Sequence, residues 1–383
     1  MTTISAAQLR DLVEGDESFA LVDTRPADSF EGWRVEGAIN FPFSTRDELD
    51  PEAFADRTGI GRDETIVAIC AKGISSHTFA EQLDAAGYED VQNVQGGMET
   101  WSRLYEVVQL PTRHPEIEII QIQRRAKGCL GYVVGCAVTG SAAVVDATRH
   151  TDEFIDAATD AGFEVTHVFD THVHADHISG GRTLAAEVGA TYFLGERATD
   201  REVEYDYEPL ARNEVVHVGE VPIKAIETPG HTTEMVSYLV ADEALLTGDT
   251  LFVDSVGRTE LQFGDGNAQD GARMLYRSLH HTILAEPDSI TVLPGHFAVD
   301  NDGTSSETPG EPVTATVGDL RTGLQLLELD AESFVETLTD RLPEKPPNYE
   351  TVIEINTGRE TGVDDQQATE LELGPNRCAA AGD

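Results

Sequence analysis

Short apolar runs alternate with helical stretches along the first hundred residues. Phe19 to Val22, Thr65 to Cys70 and Val91 to Val94 are rich in β-formers, whereas Ser76 to Ala86 spaces its apolar residues as a helix does. That alternation predicts a small α/β domain on a parallel sheet. A connector bearing two prolines, Gln109 to Pro115, then interrupts it. Beyond it Ile117 to Ile122 alternates as a strand, and Tyr132 to Val138 and Ala142 to Asp146 predict two more around a turn at Thr139-Gly140-Ser141. A helix over Asp152 to Ala161, a strand over Val165 to Asp170 and a helix from about Gly180 follow. Strand pairs near Val215 to Ile226 and Val236 to Leu246, a helix over Asp270 to Leu284 and a strand over Ser289 to Leu293 complete a larger layered α/β unit. The expected division is a first domain over residues 1–108, a linker over 109–116, a second domain over 117–300 and an acidic extension over 301–383. Within the extension the pattern predicts a helix around Asp319 to Leu338, a Pro-rich stretch from Pro343 to Pro347, and a frayed, solvated tail over the last fifteen or so residues.

Composition narrows the picture. A chain of 383 residues with 40% hydrophobic positions has apolar material for two or three cores, which excludes global disorder and a single small binding module. Charge is the anomaly: Lys+Arg 26 against Asp+Glu 70 leaves a net −44. Such a surface repels phosphate backbones and anionic lipid, so nucleic acid and membranes are excluded as partners. Self-repulsion of that size is relieved where the Debye length falls to ~3 Å near 1 M salt, so the expected setting is a halophile's cytosol. The four scattered cysteines, Cys70, Cys129, Cys136 and Cys378, make no disulfide framework. The first residues are acidic where a signal peptide needs a basic and then an apolar segment, which adds to the cytoplasmic expectation. The uncharged run Gly128 to Val145 is too short and too glycine-broken for a membrane span.

The densest chemistry is Thr171-His172-Val173-His174-Ala175-Asp176-His177, directly after the strand ending near Asp170. It sets three imidazoles and a carboxylate at the carboxyl end of a strand, where open α/β sheets place their sites. Three more candidate ligands follow strands in the same way: His231 after Thr228-Pro229-Gly230, Asp249 after Leu246-Thr247-Gly248, and His296 after Leu293-Pro294-Gly295. A glycine precedes each, which suits unusual dihedrals or close approach to an ion. In the first domain, Cys70 ends an apolar strand and is followed by a glycine-bearing loop and a helix. Backbone N–H groups of such a loop stabilise a thiolate, and Lys72 adds positive charge; a buried strand cysteine is the alternative. Cys129 and Cys136 in apolar strands and Cys378 in the tail are assigned no chemistry.

The ordered set H-x-H-x-D-H, T-P-G-H-T, T-G-D and P-G-H resembles that of the metallo-β-lactamase superfamily over about residues 117 to 300. The resemblance implies an αββα sandwich with a metal pocket at one edge, with Asp249 matching the carboxylate that can bridge two metals. In two-metal members, positions matching His172, His174 and His231 hold one ion and those matching Asp176, His177 and His296 the other. Imidazole and carboxylate ligands suit Zn, Fe and Mn alike. Two branches are similar. Glyoxalase II enzymes hydrolyse a thioester with two Zn, whereas persulfide dioxygenases hold one Fe(II) on positions matching His172, His231 and Asp249, leaving His174, Asp176, His177 and His296 to orient ligands and waters. Gly257-Arg258-Thr259-Glu260-Leu261-Gln262 is similar to the dioxygenase signature G-R-T-D-F-Q, departing at Glu260 and Leu261. Arg258 is thereby a candidate anion clamp for the thiol carrier, with a structural ion pair as the alternative.

Leu21 to Arg25, Glu36 to Pro42 and Val94 to Trp101 make the first domain resemble a rhodanese domain along nearly its whole length. Cys70 then matches the persulfide-carrying cysteine. Rhodanese loops often carry a basic residue at the second or sixth position, where this chain has Ala71 and Ser75. Asp23 and Arg25 match the domain's internal polar pair. Together the resemblances imply a persulfide dioxygenase with a rhodanese sulfurtransferase domain: Fe(II) as cofactor, a low-molecular-weight thiol persulfide and O₂ as substrates, and a homodimer. The alternative is a dizinc thioester hydrolase. Cys70, Asp176 and Arg258 are the candidate catalytic residues.

Overall fold

The structure, a computed structural model, describes residues 1–340, 342 and 344–380. Pro343, at the start of the expected Pro-rich stretch, and positions 381–383 of the expected tail lie outside the described residues.

The first domain holds strands β1 (Thr2–Ile4), β2 (Ala20–Asp23), β3 (Ile39–Asn40), β4 (Thr65–Ile69) and β5 (Asp90–Val94). They pair in the order β1-β5-β4-β2-β3, every pairing parallel. Leu21, Val22, Val67 and Ala68 are all buried, so the central strands present apolar side chains to both faces, as a parallel sheet covered on two sides requires. Phe54, Phe79 and Leu83 cover one face, and Leu9, Trp33 and Met98 the other.

Seven strands form the next sheet: β6 (Tyr105–Leu110), β7 (Ile117–Arg124), β8 (Cys129–Cys136), β9 (Ser141–Val145), β10 (Glu164–Phe169), β11 (Thr191–Gly195) and β12 (Glu208–Leu210). Strands β13 (Val215–Val218), β14 (Val221–Glu227), β15 (Val236–Val240), β16 (Ala244–Gly248), β17 (Thr291–Pro294) and β18 (Ala315–Thr316) form the third. The two sheets face each other across one core that includes Tyr132, Val145, Phe169, Tyr238, Leu246 and Leu293. Helices Thr151–Asp160 and Gly181–Val188 cover the outside of the first, through Phe154 and Leu184. Helix Ala268–His281 covers the outside of the second, through Leu275 and Leu279. This is the αββα sandwich implied by the resemblance.

Three boundaries move. Tyr105–Leu110 pairs antiparallel along Ile119 to Arg124, so the second domain's sheet begins inside the expected range 1–108, and the linker 109–116 shrinks to 111–116. Period-two burial explains it: Val108 and Leu110 point into the core, while Val107 and Gln109 are exposed. The second domain does not stop at 300, because β18 joins β17. The helix expected over Asp319 to Leu338 is broken into Val317–Gly323, a short 3₁₀ turn Gln325–Glu328, and Ala331–Asp340.

The expected frayed tail is the largest correction. Helices Tyr349–Asn356 and Asp365–Leu371 lead into a segment whose Glu372, Cys378 and Ala380 are buried. Ala380 N–H donates to Val256 at 2.8 Å, and Ala379 bridges Gly257. Glu372 is tolerable there because Arg124 and Arg149 meet it at 3.0 and 2.9 Å. Its acidic composition hides the packing, since the compensating arginines lie more than 200 positions away. Among the described residues, no helix is long and apolar enough to cross a membrane.

Candidate metal centre and thiol loop

All seven candidate ligands come together, each just past a strand: the histidine cluster after β10, His231 after β14, Asp249 after β16 and His296 after β17. The glycines behave as expected at all three of their turns, a Cβ on Gly230 meeting the Leu275 backbone at 2.4 Å. Gly248 sits at φ +48°, and a Cβ on Gly295 would come within 2.7 Å of Asp249 Oδ1.

The seven do not form one undivided set. One ligand atom each from His172, His231 and Asp249 lies within 4.8 Å of the others. Asp249 Oδ2 is 3.8 Å from His172 Nε2 and 3.5 Å from His231 Nε2. The Nδ1–H of His231 is 2.7 Å from the Arg258 carbonyl, which fixes the tautomer that leaves Nε2 to coordinate. His174 points its Nε2 at Asp146, 3.2 Å away, and groups there with Asp146 and Asp170, while its ring stays 4.2 Å from that of His172. Asp176, His177 and His296 make the other cluster, with His296 Nε2 3.0 Å and His177 Nδ1 3.1 Å from the carboxylate. His296 Nδ1 meets Asp249 Oδ1 at 2.7 Å, so one carboxylate faces both groups.

These residues fit a metal. His172 Nε2 and Asp249 Oδ2 are buried and have no hydrogen-bond partner, as do His174 Nδ1 and His177 Nε2. Leaving such atoms unsatisfied costs about 1–3 kcal/mol each, a cost that a cation removes. Burial, then the neighbouring His174, pushes His172 well below the ordinary histidine range, keeping it in the neutral form that ligates.

Several supports carry no signal in the sequence. Asp146, at φ 52°, accepts the Thr171 N–H at 2.7 Å and anchors the histidine loop. Asn356 donates to the carbonyls of His174 and His177 at 2.9 and 2.8 Å, and Glu372 accepts the Ile178 N–H at 2.7 Å. The C-terminal segment therefore buttresses the ligand loop directly. Asp146 is marked only as a carboxylate ending an apolar strand; Asn356 and Glu372 have no motif at all. Cys129 and Cys378, assigned no chemistry from sequence, both stand among the ligands.

Arg258 is corrected. Its guanidinium is buried, pairs with Glu260, and donates to the carbonyls of Glu344 and Arg377 at 2.9 Å each. The anion clamp gives way to the structural alternative: Arg258 ties the C-terminal segment beside the cluster, and the departure Glu260 supplies its partner.

In the first domain Cys70 follows β4, buried, with the Ser76 hydroxyl donating to its Sγ at 3.2 Å. Burial raises the thiol, but the hydroxyls of Ser75 and Ser76 and the backbone N–H groups of Ser76 and Lys72 outweigh it and hold Cys70 below its ordinary value. The Lys72 ammonium instead reaches Glu99 and Glu370, each at 3.4 Å. Asp23 and Arg25 form the expected internal pair at 2.6 Å. A cavity of 420 Å³ beside this loop is lined by Arg25, Ala71 and Lys345, and one of 580 Å³ beside the metal cluster by Arg34, Phe252 and His296. Glu344, Pro375 and Arg377 line both.

Comparison with known proteins agrees with this architecture. Residues 5–104 match the rhodanese-like domain, and residues 125–296 match the metallo-beta-lactamase superfamily. The chain is 27% identical over 245 residues to a hydroxyacylglutathione hydrolase of Polaromonas sp., covering 58% of this chain and 90% of the relative. It is 24% identical over 229 residues to the mitochondrial persulfide dioxygenase ETHE1 of Mus musculus, covering 59% and 82%. The crystal structure of ETHE1 from Myxococcus xanthus superposes with a TM-score of 0.54 at 25% identity, covering 65% of this chain and 99% of that one. The chain is a rhodanese-like domain followed by a metallo-β-lactamase domain, a fold whose relatives include metal-dependent enzymes of both kinds.

Proposed function

We propose that this chain, with its rhodanese-like and metallo-β-lactamase domains, oxidises a low-molecular-weight thiol persulfide with O₂ to sulfite and carries sulfane sulfur on Cys70. The overall conversion takes a persulfide, O₂ and water to the thiol, sulfite and two protons. The observation that carries this reading is the buried group of His172, His231 and Asp249, with His174 Nε2 engaged by Asp146 instead. Two imidazoles and one carboxylate are the facial set of non-haem Fe(II) oxygenases. His172, His231 and Asp249 would hold Fe(II), which would supply the redox chemistry for the reaction with O₂.

The remaining residues position and relay. The Arg258 carbonyl aims His231, and Asp249 Oδ1 holds His296. Asp176, between His177 and His296, holds both imidazoles in place. Cys70, held toward the thiolate, can accept sulfur from a donor and return it to a small thiol. The two cavities, one beside the thiol loop and one beside the metal cluster, share a wall of Glu344, Pro375 and Arg377, which supports this division of labour.

A second reading, a two-zinc thioester hydrolase, is favoured by the Asp176, His177 and His296 cluster that Asp249 adjoins and by the hydroxyacylglutathione hydrolase relatives. Oxygen uptake with a panel of thiol persulfides in molar salt, on protein purified anoxically, tests the first reading. Uptake is expected in the parent, lost in His172→Ala and kept in Cys70→Ser, which loses sulfur transfer instead. Thioester cleavage without oxygen uptake would establish the hydrolase.

A further inference from the structure

We propose that Cys129 is a metal ligand that, with Asp176, His177 and His296, completes a closed four-ligand zinc site beside the open group of His172, His231 and Asp249. One ligand atom from each of the four residues lies within 4.8 Å of the other three, and all four side chains are buried. Cys129 Sγ is 3.4 Å from Asp176 Oδ2 and 4.0 Å from His177 Nδ1. His296 Nε2 and His177 Nδ1 are 3.0 and 3.1 Å from the same carboxylate. A tetrahedral zinc with Zn–N of about 2.0–2.1 Å and Zn–S of about 2.3 Å has edges of roughly 3.3–3.8 Å, so small side-chain adjustments close the cage.

The backbone delivers this cysteine deliberately to the cluster. Cys129 opens β8 and lies in an antiparallel bridge with His296. Leu130 N–H donates to Gly295 at 2.8 Å and Phe297 N–H to Gly128 at 3.0 Å, so hydrogen bonds on both sides set the register of the thiol against the imidazole. Gly128, at φ +77°, makes the turn into the bridge, where a side chain would collide with the Phe297 carbonyl.

The two neighbouring sites differ in kind. Three ligands from His172, His231 and Asp249 leave positions open for reactants, as catalytic sites do. The four around Cys129 fill a tetrahedron, as structural zinc sites do, and the soft thiolate selects zinc over harder cations. Asp249 connects them, with Oδ1 steadying the zinc ligand His296 and Oδ2 facing His172 and His231. This assignment goes beyond the proposed reaction: it adds a thiolate to the Asp176, His177 and His296 cluster and leaves the reaction to the open site.

Full-length protein loaded with Zn(II), and separately with Co(II), tests it. X-ray absorption at the zinc edge is expected to give a sulfur neighbour at about 2.3 Å in the parent. The cobalt form is expected to show a thiolate-to-metal charge-transfer band that Cys129→Ser loses and that Cys378→Ser and Cys70→Ser keep. Only nitrogen and oxygen neighbours in the parent, or a band that survives Cys129→Ser, overturns the assignment. Cys378 also approaches Asp249 and His296, so loss of the band in Cys378→Ser alone gives the sulfur to that residue and overturns it equally. Should Cys129→Ser fail to fold, the sulfur neighbour measured in Cys378→Ser decides: its persistence supports Cys129, its loss rejects it. Iron-loaded parent without oxygen uptake, together with zinc–sulfur coordination in the zinc-loaded parent, sinks the dioxygenase reading and leaves this one standing.

Discussion

Cys70 draws its stabilising contacts from Lys72, Ser75 and Ser76, all within six positions of it. The metal cluster draws ligands from four strand ends and supports from Asp146, Asn356 and Glu372, the last 200 positions beyond His172. Both sites stabilise an anion or a lone pair that burial alone would penalise. One solves the problem with a loop, the other with the whole domain. The thiol loop should therefore survive perturbations that dismantle the metal cluster, and each experiment below asks whether that asymmetry holds.

Metal removal should separate the two most strongly. Chelation in molar salt leaves His172 Nε2 and Asp249 Oδ2 buried without partners, at roughly 2–6 kcal/mol for the two. Hydrogen exchange is expected to accelerate throughout the second domain, while protection in β4 and the alkylation rate of Cys70 change little. Equal loss of protection in both domains would mean that the two are one cooperative unit and the contrast is false.

Glu372→Ala comes next. It strips the carboxylate from buried Arg124 and Arg149 and from the Ile178 N–H, and should cost about 3–5 kcal/mol, read from urea unfolding of the loaded protein. A cost below about 1 kcal/mol would return the segment to the solvated tail that composition suggested. This position also marks where sequence reasoning stops. The seven ligands are legible because an ion demands a few residue types and strand ends supply them in a recognisable order. Many strands of both sheets are legible from their apolar pattern, and Gly128 to Val145 resolves into two strands and a turn as its pattern implies, whereas Tyr105–Leu110, Thr191–Gly195, Glu208–Leu210 and Ala315–Thr316 are not. Glu372 is not, because a buried acid and a solvated one have the same composition, and only the fold brings Arg124 to it. Cys129 is hidden for the opposite reason: an apolar strand explains a small buried thiol well enough that no second role is sought.

Acid should act on the same contact. Burial raises Glu372, but Arg124 and Arg149 prevail and bring it down to about 2. A depressed carboxyl stabilises the fold fully above the ordinary glutamate value near 4.3, and that contribution, on the order of 3 kcal/mol, is lost as pH falls from there toward 2. Cys70 is depressed as well, so its contribution belongs to the alkaline side, above the ordinary cysteine value near 8.5. Unfolding free energy against pH should thus show an acid slope that Glu372→Gln flattens and Cys70→Ser leaves alone. An unchanged acid slope in Glu372→Gln would assign it to other carboxylates.

The smallest effect concerns what holds the thiol down. An exposed ammonium and a buried hydroxyl both favour a thiolate, but they respond differently to salt. Lys72 is exposed and paired with Glu99 and Glu370, so at molar salt its field is screened within about 3 Å. The Ser76 hydroxyl lies inside the loop at 3.2 Å from the sulfur, with no solvent between them to screen it. Ser76→Ala should therefore raise the Cys70 pKa by about half a unit to one unit, roughly 1 kcal/mol, in the pH profile of alkylation at both low and high salt. Lys72→Ala should move it far less, and only at low salt. If Lys72→Ala gives the larger shift at molar salt, charge rather than loop geometry stabilises the thiolate, and the local design attributed to the first domain fails.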